Sequence, residues 1–179
     1  MFRIQAGVAV VLLALAGSAW AEPKLAKFTS VEGRFEANLP GKVSTRSEKT
    51  PSGIEIHYFD SQLSILERMQ VHYCDFPDRV FQGRDPKMLL KVYQDSEYKA
   101  GKMLSEKEFA TADGKIKGLE YKVETVFETK GSKVPVFIRE RIFFVGNRLY
   151  VVRCRVVVNK NLLESKEANQ FFDSFTVSN

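Results

Sequence analysis

Apolar and polar residues alternate with period two through most of this chain, which is the periodicity of β-strands with unlike faces. Residues 28–31 and 34–39 flank Glu32-Gly33, and Pro40-Gly41 ends the second run. Residues 54–59 and 69–73 form a second pair, closed by Pro77. Residues 103–110 and 115–127 flank Asp113-Gly114, a dipeptide that tolerates the positive φ values of a type I′ hairpin turn. Residues 134–145 and 148–158 flank Gly146-Asn147, a good type II′ pair. In the strand over 115–127, Leu119, Tyr121, Val123, Thr125 and Phe127 share one face. Glu120, Lys122 and Glu124 occupy the other, which predicts a solvated side.

Two segments switch to helical spacing. Asp85-Pro86 reads as an N-cap with proline at the first helical position, and Leu89, Val92, Tyr93 and Ser96 follow at helical intervals until Gly101. This predicts a helix over about 85–100. A second helix is expected over about 164–173, burying Ala168, Phe171 and Phe172, with Asn161 and Glu164 spaced like a capping box. Residues 174–177 can add a short strand. Hairpins plus two helices define an α+β protein: a central antiparallel β-sheet of about 7–9 strands partly covered by helices.

Residues 1–21 read as an export signal. Arg3 supplies the positive start, residues 4–16 are apolar apart from Gln5 and Gly7, and Ala19-Trp20-Ala21 places small residues where a signal peptidase cuts. Cleavage after Ala21 would leave a single domain over 22–179, periplasmic or secreted. The apolar run is too short for the roughly 20 residues that a membrane-crossing helix needs, so no transmembrane span is expected after cleavage. The chain carries 27 Lys and Arg against 22 Asp and Glu, a net charge of +5. The signs are interspersed, as in Glu120-Tyr-Lys122-Val-Glu124, whereas nucleic-acid binders concentrate one sign. A nucleic-acid partner is not expected.

Three stretches carry a family resemblance: Phe28-Thr-Ser-Val-Glu-Gly-Arg-Phe-Glu-Ala-Asn-Leu-Pro-Gly41, Val145-Gly-Asn-Arg-Leu-Tyr150 and Phe171-Phe-Asp-Ser-Phe-Thr-Val177. Together they resemble small exported bacterial proteins of the PsbP-like and DcrB-like group. That resemblance implies an α/β/α sandwich around an antiparallel sheet, and members that are mostly non-catalytic accessory or assembly proteins. It transfers no functional residue, because the matching positions are turn glycines, a proline and core aromatics.

Two constellations could carry chemistry. His57-Tyr-Phe-Asp60 and His72-Tyr-Cys-Asp75 contain both histidines. If Ile54, Ile56 and Tyr58 oppose Met69, Val71 and Tyr73 across a hairpin, then His57, His72 and Cys74 share the opposite face. Two imidazoles and a thiolate are ligands suited to zinc or copper. The alternative is histidines on a polar sheet face, paired with Glu55 or Asp75. Cys74 and Cys154 fall on opposite sides of one sheet by the same alternation, which argues against a disulfide.

The second constellation is arginine-rich. A three-residue loop at the late hairpin would bring Arg139, Arg141, Arg153 and Arg155 into a like-charged quartet suited to an anion or acidic partner. A two-residue Gly146-Asn147 turn instead pairs Glu140 with Arg153 and sends Arg139 and Arg141 to the other face. Turn chemistry favours the second arrangement.

No G-x-S-x-G elbow, Walker loop, G-x-G-x-x-G or H-E-x-x-H occurs. The expectation is a non-catalytic binding or accessory domain of the cell envelope, without cofactor, whose partner is a protein or envelope component. A metal-handling protein built on His57 and His72 is the alternative.

Overall fold

The computed structural model describes residues 24–111, 114–129 and 131–178. The leader at 1–21 and Asp113 of the expected type I′ turn lie outside the described residues. Ten strands and two α-helices run in the order β1 (Leu25–Ser30), β2 (Phe35–Pro40), β3 (Ser44–Lys49), β4 (Glu55–Ser64), β5 (Glu67–Asp75), α1 (Pro86–Glu97), β6 (Lys102–Ala110), β7 (Lys117–Thr129), β8 (Ser132–Val145), β9 (Arg148–Val157), α2 (Lys166–Ser174) and β10 (Thr176–Val177). Seven strands form one sheet in the order β3-β4-β5-β9-β8-β7-β6, and β1-β2-β10 form a small second sheet. Every strand pair is antiparallel. The class is α+β, as the periodicities predict.

Hydrophobic burial on both faces of the large sheet holds this arrangement together. On one face Met69, Val71, Tyr73, Phe143, Tyr150, Val152 and Cys154 pack with Phe35 and Leu39 of the small sheet and with Ala168, Phe171 and Phe172 of α2. On the other, Leu119, Tyr121, Val123, Ile142, Leu149 and Val151 pack with Leu90 of α1. Layers therefore lie on both sides of the sheet, in the manner of a sandwich.

The Asp85 side chain caps α1 by accepting from the Lys87 N–H at 2.9 Å. The cap of α2 is Ser165, which accepts from the Ala168 N–H at 3.1 Å. Asn161 and Glu164 are not its capping box: they belong to the 3-10 turn Lys160–Glu164 that precedes it. At the late hairpin, Val145 faces Arg148 across a two-residue turn. Gly146 has φ +59° while Asn147 is not among the positive-φ residues, the pattern of type II′.

The hairpin β4–β5 departs from the expected register. Ser64 pairs with Glu67 next to the turn, but a bulge between Gln62 and Ser64 shifts the rest, giving Tyr58↔His72 and His57↔Tyr73. One extra residue inverts which side chains share a face. The apolar pattern did not forbid this, because both faces of these strands are covered and each tolerates apolar groups.

Among the described residues, no helix is long and apolar enough to cross a membrane.

Candidate functional site

The inverted register separates the two histidines. His57 stacks on Tyr73 at 4.7 Å on the face that carries the larger core. His72 lies on the other face, its ring 5.2 Å from that of Tyr58. The two imidazoles thus point away from one another through the sheet. Cys74 shares a face with His72, yet burial pushes its thiol up to about 12, the wrong direction for a thiolate ligand. Among the described residues, no three His, Cys, Asp or Glu side chains gather at metal-binding distance. Cys74 and Cys154 are free and buried, on opposite faces as the alternation requires.

The most concentrated polar chemistry lies between α1 and the sheet. Tyr121, Glu140 and Arg153 form one row across β7, β8 and β9. The end of α1 brings Glu97 and Tyr98 over that row. Glu140 is fully buried. It accepts hydrogen bonds from the Tyr98 hydroxyl at 2.8 Å, from the Tyr121 hydroxyl at 2.5 Å and from the Arg153 Nε. The Arg153 Nη2 donates at 2.8 Å to Glu97. Burial, joined by the Glu140 charge, pushes both phenols far above their ordinary range. Both phenols stay protonated and donate to the carboxylate. The cluster is a lock between helix and sheet.

His72 sits one row away, with its Nε2 3.2 Å from the Tyr93 hydroxyl of α1. Its Nδ1 is buried without a partner, and burial holds the ring neutral well below the ordinary histidine range. The Tyr93 bond adds a second tie to the helix.

The two-residue turn that the turn chemistry favours divides the four arginines, so the alternative like-charged quartet does not form. Arg139 and Arg141 face α2, whereas Arg153 and Arg155 face the α1 side. Glu120, expected on a wet face, is buried beneath α2. It accepts from the Arg141 Nε at 2.5 Å and from the Arg139 Nη2 at 3.3 Å. Arg139 also donates to Asn169 at 2.7 Å, and Arg141 to the Phe172 carbonyl at 3.0 Å. Both guanidinium groups lie over the Phe172 ring, at 4.5 and 5.2 Å. These two arginines clamp α2 onto the sheet, and Arg153 is consumed by Glu140. Of the four, Arg155 alone stays uncommitted among the described residues.

Arg155 stands directly opposite Arg68 of β5, a pairing the sequence did not signal because β5 and β9 are distant in the chain. Both are exposed, and neither has an ion-pair partner among the described residues. They flank a shallow concavity with Gln62, Ser64, Ile65 and Leu66. At this same end of the sheet β7 and β8 project as a two-stranded arm. β6 pairs no further than Glu124 and the ladder of β9 no further than Val136, leaving the rows Phe127↔Val134 to Thr129↔Ser132 without a strand on either side. Ile65 (89% exposed), Phe127 (59%) and Val158 (62%) crown this end.

No protein-family model matches the chain, and no curated protein matches it. Among solved structures it is similar to the solution structure of cyanobacterial PsbP (CyanoP) from Synechocystis sp. PCC 6803, at 11% identity and a TM-score of 0.50 over 92% of this chain and 98% of that one. A crystal structure from Bacteroides thetaiotaomicron VPI-5482 is similar at 13% identity and a TM-score of 0.49, over 88% of this chain and 49% of that one. The chain spans about half the length of that structure. A protein of unknown function from Pseudomonas aeruginosa, PA94, described as a putative regulator, is similar at 9% identity and a TM-score of 0.47, over 84% of this chain and 95% of that one. At such identities the likeness is one of fold, and the fold is PsbP-like.

Proposed function

We propose that this chain is an exported, non-catalytic binding or accessory domain of the cell envelope, and that it works through the open end of its large sheet. One observation carries the reading: the buried carboxylates are engaged inward, while a like-charged cross-strand pair, Arg68 and Arg155, meets five exposed apolar side chains at one end of the large sheet. Glu140 is saturated by two tyrosines and Arg153, and Glu120 by Arg139 and Arg141. Neither carboxylate has an open approach. The open end instead combines Arg68 and Arg155 with Ile65, Phe127 and Val158, the composition of a surface that docks. Export rests on the leader over 1–21, and an envelope setting follows from it.

The test is site-specific photo-cross-linking in intact cells. A photoreactive residue placed at Phe127 should give a discrete adduct, while the same residue at Ser47 on the exposed, charged edge strand β3 should give none. Equal labelling from both positions, or none from Phe127, would remove the reading.

A further inference from the structure

The open end combines a like-charged cross-strand pair with exposed apolar side chains. Arg68 and Arg155 occupy interior strands, where like charges directly opposite one another are destabilising. Asp60, the carboxylate whose charge reaches Arg155, is already bound by Gln70 at 2.7 Å and Arg46 at 3.6 Å. The Asp60 charge therefore offsets the repulsion only in part. Beside it, the apolar side chains stand on three separate segments: the β4–β5 turn with Ile65 and Leu66, the projecting arm with Val126 and Phe127, and Val158 at the exit of β9.

These segments adjoin. The Val157 N–H donates to the Leu66 carbonyl at 2.9 Å and the Val158 N–H to the Pro135 carbonyl at 3.0 Å, while Pro135 faces Val126. The row thus crosses four strands, about 14 Å at the usual inter-strand spacing. Val158 itself has φ +69°, a left-handed conformation that a β-branched residue avoids. Its neighbour Asn159 donates to the Val157 carbonyl at 2.8 Å, closing a tight three-residue turn that holds Val158 at the surface.

We propose that this end docks on an anionic phospholipid surface, with Arg68 and Arg155 taking a headgroup phosphate and Ile65, Phe127 and Val158 entering the interfacial layer. The inference rests on the binding-domain reading above and adds the identity of what is bound. Charge complementarity favours lipid: the chain is net cationic, and the like-charged pair Arg68 and Arg155 sits within the apolar rim. The shape agrees. Separate aliphatic tips and a lone phenylalanine suit a soft layer, whereas protein hot spots favour tryptophan and tyrosine in a closed, packed patch.

The processed protein, recovered from the periplasm of expressing cells, is sedimented with phosphatidylcholine vesicles with and without phosphatidylglycerol. Binding is expected only with the anionic lipid. Arg68→Gln/Arg155→Gln should lower partitioning by roughly thirtyfold, about fivefold per charge removed, and Phe127→Ser should weaken it with the fold intact by circular dichroism. Equal binding to neutral vesicles, no binding, or unchanged binding in the variants would overturn the proposal. So would thermal stabilisation by inorganic phosphate without vesicle binding, which would make the arginine pair a site for a free anion. A protein adduct at Phe127 without vesicle binding would overturn this inference and leave the binding-domain reading standing.

Discussion

Glu140 and Arg153 face one another across β8 and β9, and their side chains meet beneath α1 in a site where the carboxylate has no solvent exposure. Burial disfavours the Arg153 cation, but the Glu140 charge, joined by Tyr98, Tyr93 and Glu97, more than reverses that effect. The cross-strand pair legible in the sequence is therefore a buried ion pair, whose two partners depend on each other for solvation.

Removing one partner should cost far more than removing both. Glu140→Gln leaves Arg153 facing a neutral amide and should lower stability by about 3 kcal/mol. Glu140→Leu combined with Arg153→Met should recover a good part of that loss, the remainder reflecting the Tyr98 and Tyr121 hydroxyls left without an acceptor. Urea unfolding of the single and double variants measures the coupling. Strictly additive losses would show that the charges are solvated after all.

His72 gives the fold a pH dependence near neutrality. Burial depresses its folded-state pKa well below the ordinary 6.5. The unfolded chain therefore takes up a proton, as pH falls through 6.5, that the folded chain refuses. Stability is complete above that pH and declines below it, by up to about 1.4 kcal/mol per pH unit. His72→Phe should flatten the profile between roughly pH 6.5 and 5. An unchanged slope in that variant would assign the effect elsewhere.

Glu120 acts in a lower window. Burial alone would raise its carboxyl, but the hydrogen bond from Arg141 and the charge of Arg139 outweigh burial and take it down to about 2. A depressed folded-state value means that its contribution is fully present above the ordinary 4.5 and disappears as pH falls from there toward 2. The loss is about 3 kcal/mol over that interval. Glu120→Gln should forfeit it at neutral pH and leave a shallower acid limb in urea titrations. Detachment of α2 in the variant, seen as faster amide exchange at Ala168 and Phe171, would identify the clamp as the cause.

Local signals carried most of the architecture. Alternation gave the hairpins, Asp85-Pro86 the start of α1 and Gly146-Asn147 the turn that separates Arg139 and Arg141 from Arg153. What could not be read depended on non-local pairing. The bulge between Gln62 and Ser64 has no composition of its own, yet it places His57 and His72 on opposite faces and dissolves the suggested metal site. Glu120 and Glu140 look solvated in sequence because their strands alternate. Only the packing of α2 and α1 over opposite sheet faces makes them interior. Arg68 finds Arg155 through β5–β9 pairing, which joins strands separated by α1 and three other strands.

Val158 supplies a prediction that links strain to binding. A left-handed backbone costs an L-residue roughly 1–2 kcal/mol, and glycine is free of that cost while losing about 0.5 kcal/mol of unfolded-state entropy. With φ at +69° and a residue 62% exposed, Val158 has little packing to offset the strain. Val158→Gly should therefore stabilise the fold by about 1 kcal/mol, a rise of roughly 2–4 °C in Tm for a domain of this size. Arg34, at φ +52° but unbranched at Cβ, should gain less from the same change. If the strained valine is kept for docking, the stabilised variant should also bind anionic vesicles more weakly, a trade between stability and function. A Val158→Gly protein that is both more stable and undiminished in vesicle binding would separate the turn from the docking surface.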